Sequence, residues 1–93
     1  MRTIEGFKLR KLGNEYILIG ETLALINFNK VITLNETAAF LWQQAEALTV
    51  QNGSFTVADL CQSLCAEYDV SPDQAMADVS QTIDEWLHAE VIF

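Results

Sequence analysis

KVITLNETAAFLW, residues 30–42, is the stretch whose reading decides the fold. Val31-Ile32-Thr33 is a β-branched run that favours a strand and ends at Leu34. Asn35 follows, a residue whose side-chain oxygen accepts from the orphan N–H groups of a helix start. Ala38, Leu41, Trp42 and Ala45 then recur at helical spacing and give the helix one buried side. Leu34 and Ala39 stand where a hydrophobic staple fixes the angle at which the chain joins the helix. Strand, cap and helix meet within a few residues. Residues before the junction read as sheet, and those after it as helix.

Working back from Lys30, Leu23 to Phe28 is apolar but for Asn27, is followed by Asn29, and reads either as a short extra strand or as an irregular crossing. Phe7 to Leu12 alternates apolar and basic residues, Gly13-Asn14 suits a two-residue type II′ turn, and Glu15 to Gly20 returns as the second strand of a hairpin. This register sets Leu9 opposite Leu18 and Arg10 opposite Ile17. The Leu9/Leu18 face is the candidate core face. Lys8, Arg10, Ile17 and Ile19 share the other, to be covered by residues 21–30 or offered to a partner.

Working forward, the first helix is expected over Glu36 to about Leu48, with Gln51-Asn52-Gly53-Ser54 as a loop. Thr56 and Asp59 form a capping-box pattern, and Phe55 stands ready to staple onto Leu60. The second helix then buries Val57, Leu60, Cys61, Leu64 and Tyr68. Ser71-Pro72-Asp73-Gln74 combines a cap, a proline at the first helical position and a glutamine three after the cap. The third helix is expected to reach about Ala89, burying Met76, Val79, Ile83 and Trp86 or Leu87. Val91-Ile92-Phe93 is apolar enough to pack back onto the rest. The order predicts an α+β, winged-helix-like fold: a three-stranded antiparallel sheet followed by a three-helix bundle, one domain over residues 1–93.

With 93 residues, 51% of them hydrophobic, the chain can build one core but not two. Charge is unevenly distributed. Residues 1–30 hold all five Lys and Arg against three acids, net +2, whereas residues 31–93 hold ten acids and no Lys or Arg. A helical half without a base cannot neutralise phosphates, which speaks against nucleic acid. No run approaches the roughly 18 apolar residues of a membrane span, and the first residues lack a signal-peptide stretch. A cytoplasmic location is the expectation.

Catalytic patterns are sparse. Cys61 and Cys65 lie one helical turn apart, awkward for a disulfide, and read as small core hydrophobes. A zinc site needs more ligands than these thiols and the single histidine, His88, supply. His88 sits where a protonated imidazole complements a helix C-terminus. No metal, cofactor or catalytic site is expected. Trp42 and Trp86 fall on buried helix sides, although an aromatic at the lip of a groove also suits an interface.

Asn29 to Trp42 resembles the strand-to-helix signature of PqqD-like proteins, the coenzyme PQQ synthesis protein D family. The likeness continues through Phe55-Thr56-Val57-Ala58-Asp59-Leu60 and the Leu64, Tyr68 and Val70 positions to the Ile83, Trp86 and Leu87 run. The resemblance implies a RiPP recognition element, which binds the leader of a ribosomally made precursor peptide without catalysis. It presents that peptide to a modifying enzyme, often a radical S-adenosylmethionine protein, in coenzyme PQQ biosynthesis or another pathway. In that family the leader adds as a strand to the sheet edge beside the third helix. Carried onto this sequence, the peptide-binding residues are the backbone of Lys30, Val31, Ile32, Thr33 and Leu34, with Asp78, Val79, Thr82, Ile83 and Trp86. The acidic third helix suits a leader carrying Lys or Arg. Should residues 21–30 pair along that edge, the slot would be filled or shifted. Strand exchange would also permit a homodimer. The alternatives are a winged-helix transcription regulator, motivated by the three-helix order, and an enzyme using Cys61, Cys65 and His88.

Overall fold

A computed structural model describes residues 1–21 and 31–93. Strands β1 (Phe7–Leu12), β2 (Glu15–Gly20) and β3 (Val31–Leu34) form an antiparallel sheet in the order β1-β2-β3. Helices α1 (Glu36–Asn52), α2 (Val57–Glu67) and α3 (Pro72–His88) follow. This is the α+β arrangement that the order of sequence patterns predicts. The expected cover for the outer hairpin face, and the apolar stretch Leu23 to Phe28, fall outside the described residues, as does Lys30 at the start of the expected third strand.

The hairpin forms in the expected register, with Leu9 paired to Leu18 and Arg10 to Ile17. Gly13 has φ +61° while Asn14 is not among the residues of positive φ, the sign pattern of a type II′ turn. Pleat alternation then sends Phe7, Leu18 and Leu34 into the core, with Leu9 and Ile32 packed at its margin. On the opposite face Lys8 and Arg10 are exposed and Ile17 and Ile19 half-buried. Arg10 forms an ion pair with Glu21 there.

Each helix starts where its cap predicts. The Asn35 side chain accepts from the Ala38 N–H at 2.8 Å, and Leu34 and Ala39, the staple positions, are both buried. Thr56 and Asp59 bond reciprocally, at 3.1 and 3.0 Å, as a complete capping box. Ser71 accepts from the Gln74 N–H at 3.2 Å, with Pro72 inside the first turn. Here the glutamine departs from the capping box, because its side chain bonds forward to Asp78 instead.

α1 runs four residues past its expected end at Leu48. A tertiary tie accounts for the extension. The Thr49 hydroxyl donates to the Ala45 carbonyl at 2.8 Å and accepts from the Thr3 N–H at 3.1 Å, so the extra turn anchors the segment before β1. Gly53 then ends the helix at φ +83°, a left-handed conformation suited to a residue without Cβ. Residues 2–4 bond residues 91–93 through Arg2 N–H to Phe93 O, Phe93 N–H to Arg2 O and Ile4 N–H to Val91 O, at 2.7, 2.9 and 3.0 Å. Val91 and Ile92 are buried by this pairing, as their apolar character requires.

The core joins all three helices to the sheet. Trp42 of α1 and Trp86 of α3 meet edge to face, centroids 5.3 Å apart and planes at 88°. Both are essentially inaccessible, with Leu41, Phe55, Leu60, Leu64 and Val79 around the same core. The buried stripe of α3 is Ala75, Val79, Ile83 and Trp86, not the expected Met76. Met76 and Leu87 are 49% and 43% exposed. Helical geometry explains the correction: Ala75 precedes Val79 by four residues and lies on its row, whereas Met76 is turned about 100° from Ala75.

Replacing Trp86 by Ala should cost about 3–5 kcal/mol of unfolding free energy, through lost burial and the cavity it leaves. Replacing Asn35 by Ala should cost about 1 kcal/mol, through loss of the cap. Urea unfolding followed by far-UV circular dichroism checks both.

Candidate functional site

β3 bonds β2 along one edge, pairing Ile19 with Val31 through to Tyr16 with Leu34. Among the described residues its other edge carries no partner strand. Such an edge presents N–H and C=O groups in register for an added strand. Val31, 60% exposed, and Thr33 share the face turned from the core, while Ile32 and Leu34 lean inward.

Beside this strand lies a cleft of about 340 Å³. Thr33 and Leu34 of β3 form one wall, and Asn35, Thr37 and Ala38 at the start of α1 close one end. Asp78, Gln81, Thr82 and Glu85 of α3 form the other wall. Among the described residues no Lys, Arg or His lines it. These α3 residues flank one side of the buried Ala75–Trp86 stripe, and Met76 and Leu87 flank the other. The strand end, the first turn of α1 and one flank of α3 therefore share one concave surface.

Within that wall the carboxylates are held in place. Gln74 Nε2 donates to Asp78 Oδ1 at 2.8 Å, and Gln81 Nε2 donates to Glu85 Oε1 at 3.4 Å, each one helical turn apart. The Thr82 hydroxyl donates to the Asp78 carbonyl at 2.9 Å, which keeps its proton occupied within the helix.

Of the ten residues expected to bind peptide, Thr33, Leu34, Asp78 and Thr82 line this cleft. Val31 and Ile32 lie along the same strand just outside it. Val79, Ile83 and Trp86 are core residues, at most 4% exposed, and are not among the residues that line the cleft. Lys30 is outside the described residues. Sequence reasoning missed Asn35, Thr37, Ala38, Gln81 and Glu85. The polar flank next to the α3 stripe was the available signal, since Asp78, Thr82 and Glu85 recur at spacings of four and three.

Two further hollows are lined by no β3 residue, and the first reaches Phe7 and Lys8 at the start of β1, the other outer strand of the sheet. One of about 440 Å³ lies over residues 2–8 and the end of α1, with Val50 at its rim. The other, about 180 Å³, lies between Tyr16, Phe40 and Tyr68. Burial pushes the Tyr68 phenol up, reinforced by the Glu36 and Glu67 carboxylates and Tyr16. Among the described residues no group of three or more His, Cys, Asp or Glu is placed to hold a metal ion. No helix among them is long and apolar enough to cross a membrane.

The cysteines also depart in part from expectation. Cys61 packs half-buried against the core, but Cys65 is exposed, because Leu60 and Leu64 take the inward row of α2. Both thiols are free. His88 ends α3, its Nδ1 2.8 Å from the Asp84 carbonyl oxygen.

Fold and cleft together define a small winged-helix-like α+β module in which, among the described residues, one edge of β3 is unpaired beside an acidic helix. The family model of coenzyme PQQ synthesis protein D, PqqD, matches residues 16–92, and the chain belongs to that family. No curated protein matches the sequence. Among solved structures the chain is similar to TbiB1 in complex with the TbiA(beta) leader peptide. The TM-score is 0.72 at 14% identity, over 99% of this chain and 94% of that one. It is also similar to lasso peptide synthetase B1 complexed with the leader peptide, with TM-score 0.65 and 20% identity, over 98% of this chain and 93% of that one. At these identities the likeness shows a shared fold.

Burial, with the neighbouring Cys65 second, pushes the Cys61 thiol up and lowers its thiolate fraction at a given pH. Alkylation by iodoacetamide at pH 8 should therefore modify Cys65 before Cys61, with the order read from mass spectra of proteolytic peptides over time.

Proposed function

We propose that this chain recognises the leader of a ribosomally made precursor peptide without catalysis. The leader adds as a strand to the open edge of β3 and lies against α3, and residues 1–93 act as one peptide-binding domain. The observation that carries this reading is the cleft itself, in which Thr33 and Leu34 of β3 face Asp78, Thr82 and Glu85 of α3. An edge strand supplies main-chain bonds that give affinity, and an adjoining wall of side chains selects among peptides. Family membership supports the reading, as do two structures of the same fold whose chains hold leader peptides.

The bound peptide would be handed to a modifying enzyme, for which a radical S-adenosylmethionine protein is the partner the family suggests. A peptide extended along an edge strand leaves its following residues free to reach a second protein. The regulator reading draws nothing from this geometry. DNA recognition by α3 would press Asp78, Glu85 and their acidic neighbours against phosphates, where like charge repels.

Strand addition predicts a dependence on the phase of backbone methylation, because only alternate amides of an added strand face the sheet. Two versions of a cognate leader are compared, N-methylated at odd or at even residues across the binding segment. One version should lose binding by at least tenfold and the other should retain it, as measured by isothermal titration calorimetry. Amide shifts on saturation should be concentrated at residues 31–35 and 78–85. Equal loss in both phases, or unmoved amides in those segments, rules out strand addition at β3.

A further inference from the structure

The acidic wall of the cleft has an internal pattern that reaches beyond its sign. Gln74 and Asp78, then Gln81 and Glu85, repeat a glutamine followed four residues later by a carboxylate, with a shift of seven positions. Seven residues are close to two helical turns, so Asp78 and Glu85 stand nearly in line along α3, about 10 Å apart. In each pair the glutamine amide bonds one carboxylate oxygen and leaves the charge intact. A neutral donor orients an anion without neutralising it, and leaves the remaining lone pairs for an incoming donor. The other described residues that line it, Thr33, Asn35, Thr37 and Thr82 among them, are uncharged.

A strand seated on β3 would run beside this wall. Its residues alternate between faces, so side chains turned toward α3 come from positions i, i+2 and i+4, about 7 and 13 Å apart. The spacing between the two carboxylates falls between those values and is bridged by either, given the flexible stems of Lys and Arg.

We propose that the peptide held at β3 presents two cationic side chains on one face, two or four residues apart, and that Asp78 and Glu85 receive them. The inference rests on the strand-addition reading and names the chemistry that the site selects. Asp78 and Glu85 are specificity-determining residues, and Gln74 and Gln81 position them.

The test uses a display library of random ten-residue peptides selected on the full chain, with enriched peptides resynthesised and their site read from amide shifts. Peptides that shift Val31–Leu34 should be enriched in Lys or Arg at two positions, two or four apart. Their affinity should fall about threefold for Asp78→Asn, similarly for Glu85→Gln, and about tenfold for the double variant, as expected for partly exposed charge pairs. Asp84→Asn, which removes the same charge from a residue outside the cleft, should change affinity by less than half as much. Peptides that shift β3 yet lack basic enrichment, or that bind the double variant unchanged, overturn the cationic pairing while leaving strand addition standing. An Asp84→Asn effect equal to that of Asp78→Asn overturns it too, because overall charge would then explain the preference. Enriched peptides that shift other segments and spare β3 overturn both readings.

Discussion

The perpendicular contact between Trp42 and Trp86 holds the rest of the structure in relation. It locks α1 to α3 in the centre of the core, with the edge of one indole against the face of the other, the arrangement that ring quadrupoles favour. α1 begins two residues after β3 ends, and its start is set by the Asn35 cap and the buried Leu34. Any shift of α3 against α1 is therefore also a shift of α3 against the edge of β3. The width of the cleft is a consequence of core packing, although neither tryptophan lines it.

That contact carries a cost. The Trp42 Nε1 is buried with no hydrogen-bond partner among the described residues, and an unpaired buried donor costs about 1–3 kcal/mol. Burying two indoles outweighs it, since loss of a buried Trp costs about 3–5 kcal/mol by mutation. A small α+β module has few large side chains with which to fix one helix at one distance from a sheet. Two interlocked tryptophans do so with a single contact.

Function follows from what the core leaves outside. α3 buries one stripe and has two unlike flanks: an acidic and hydroxylated one facing the sheet edge, and another bearing the exposed Met76 and Leu87. Pairing of residues 2–4 with 91–93 ties the chain ends together, and Thr49 fastens that tie to α1. The β3 edge takes no part in these bonds. Main-chain groups and an oriented polar wall thus stand together, and the proposed recognition of an extended peptide rests on that arrangement.

Local chemistry was legible in the sequence wherever a single residue type carries the signal. The Asn35, Thr56 and Ser71 caps, the Gly13-Asn14 turn and the pairing of Leu9 with Leu18 all follow from short-range rules of backbone sterics and hydrogen bonding. The confinement of every Lys and Arg to the first thirty residues likewise shows in the bare sequence, and it determines the acidity of the helical half. The spacing of Val79, Ile83 and Trp86 marks them as buried, but tertiary structure alone decided that Asp78, Gln81 and Glu85 form the cleft wall. Periodicity marks a stripe on α3 but leaves open how wide the burial runs and which flank meets β3, because both depend on how α3 packs against α1. The last turn of α1 depended on tertiary structure as well, since the bond from Thr3 to Thr49 joins residues 46 positions apart.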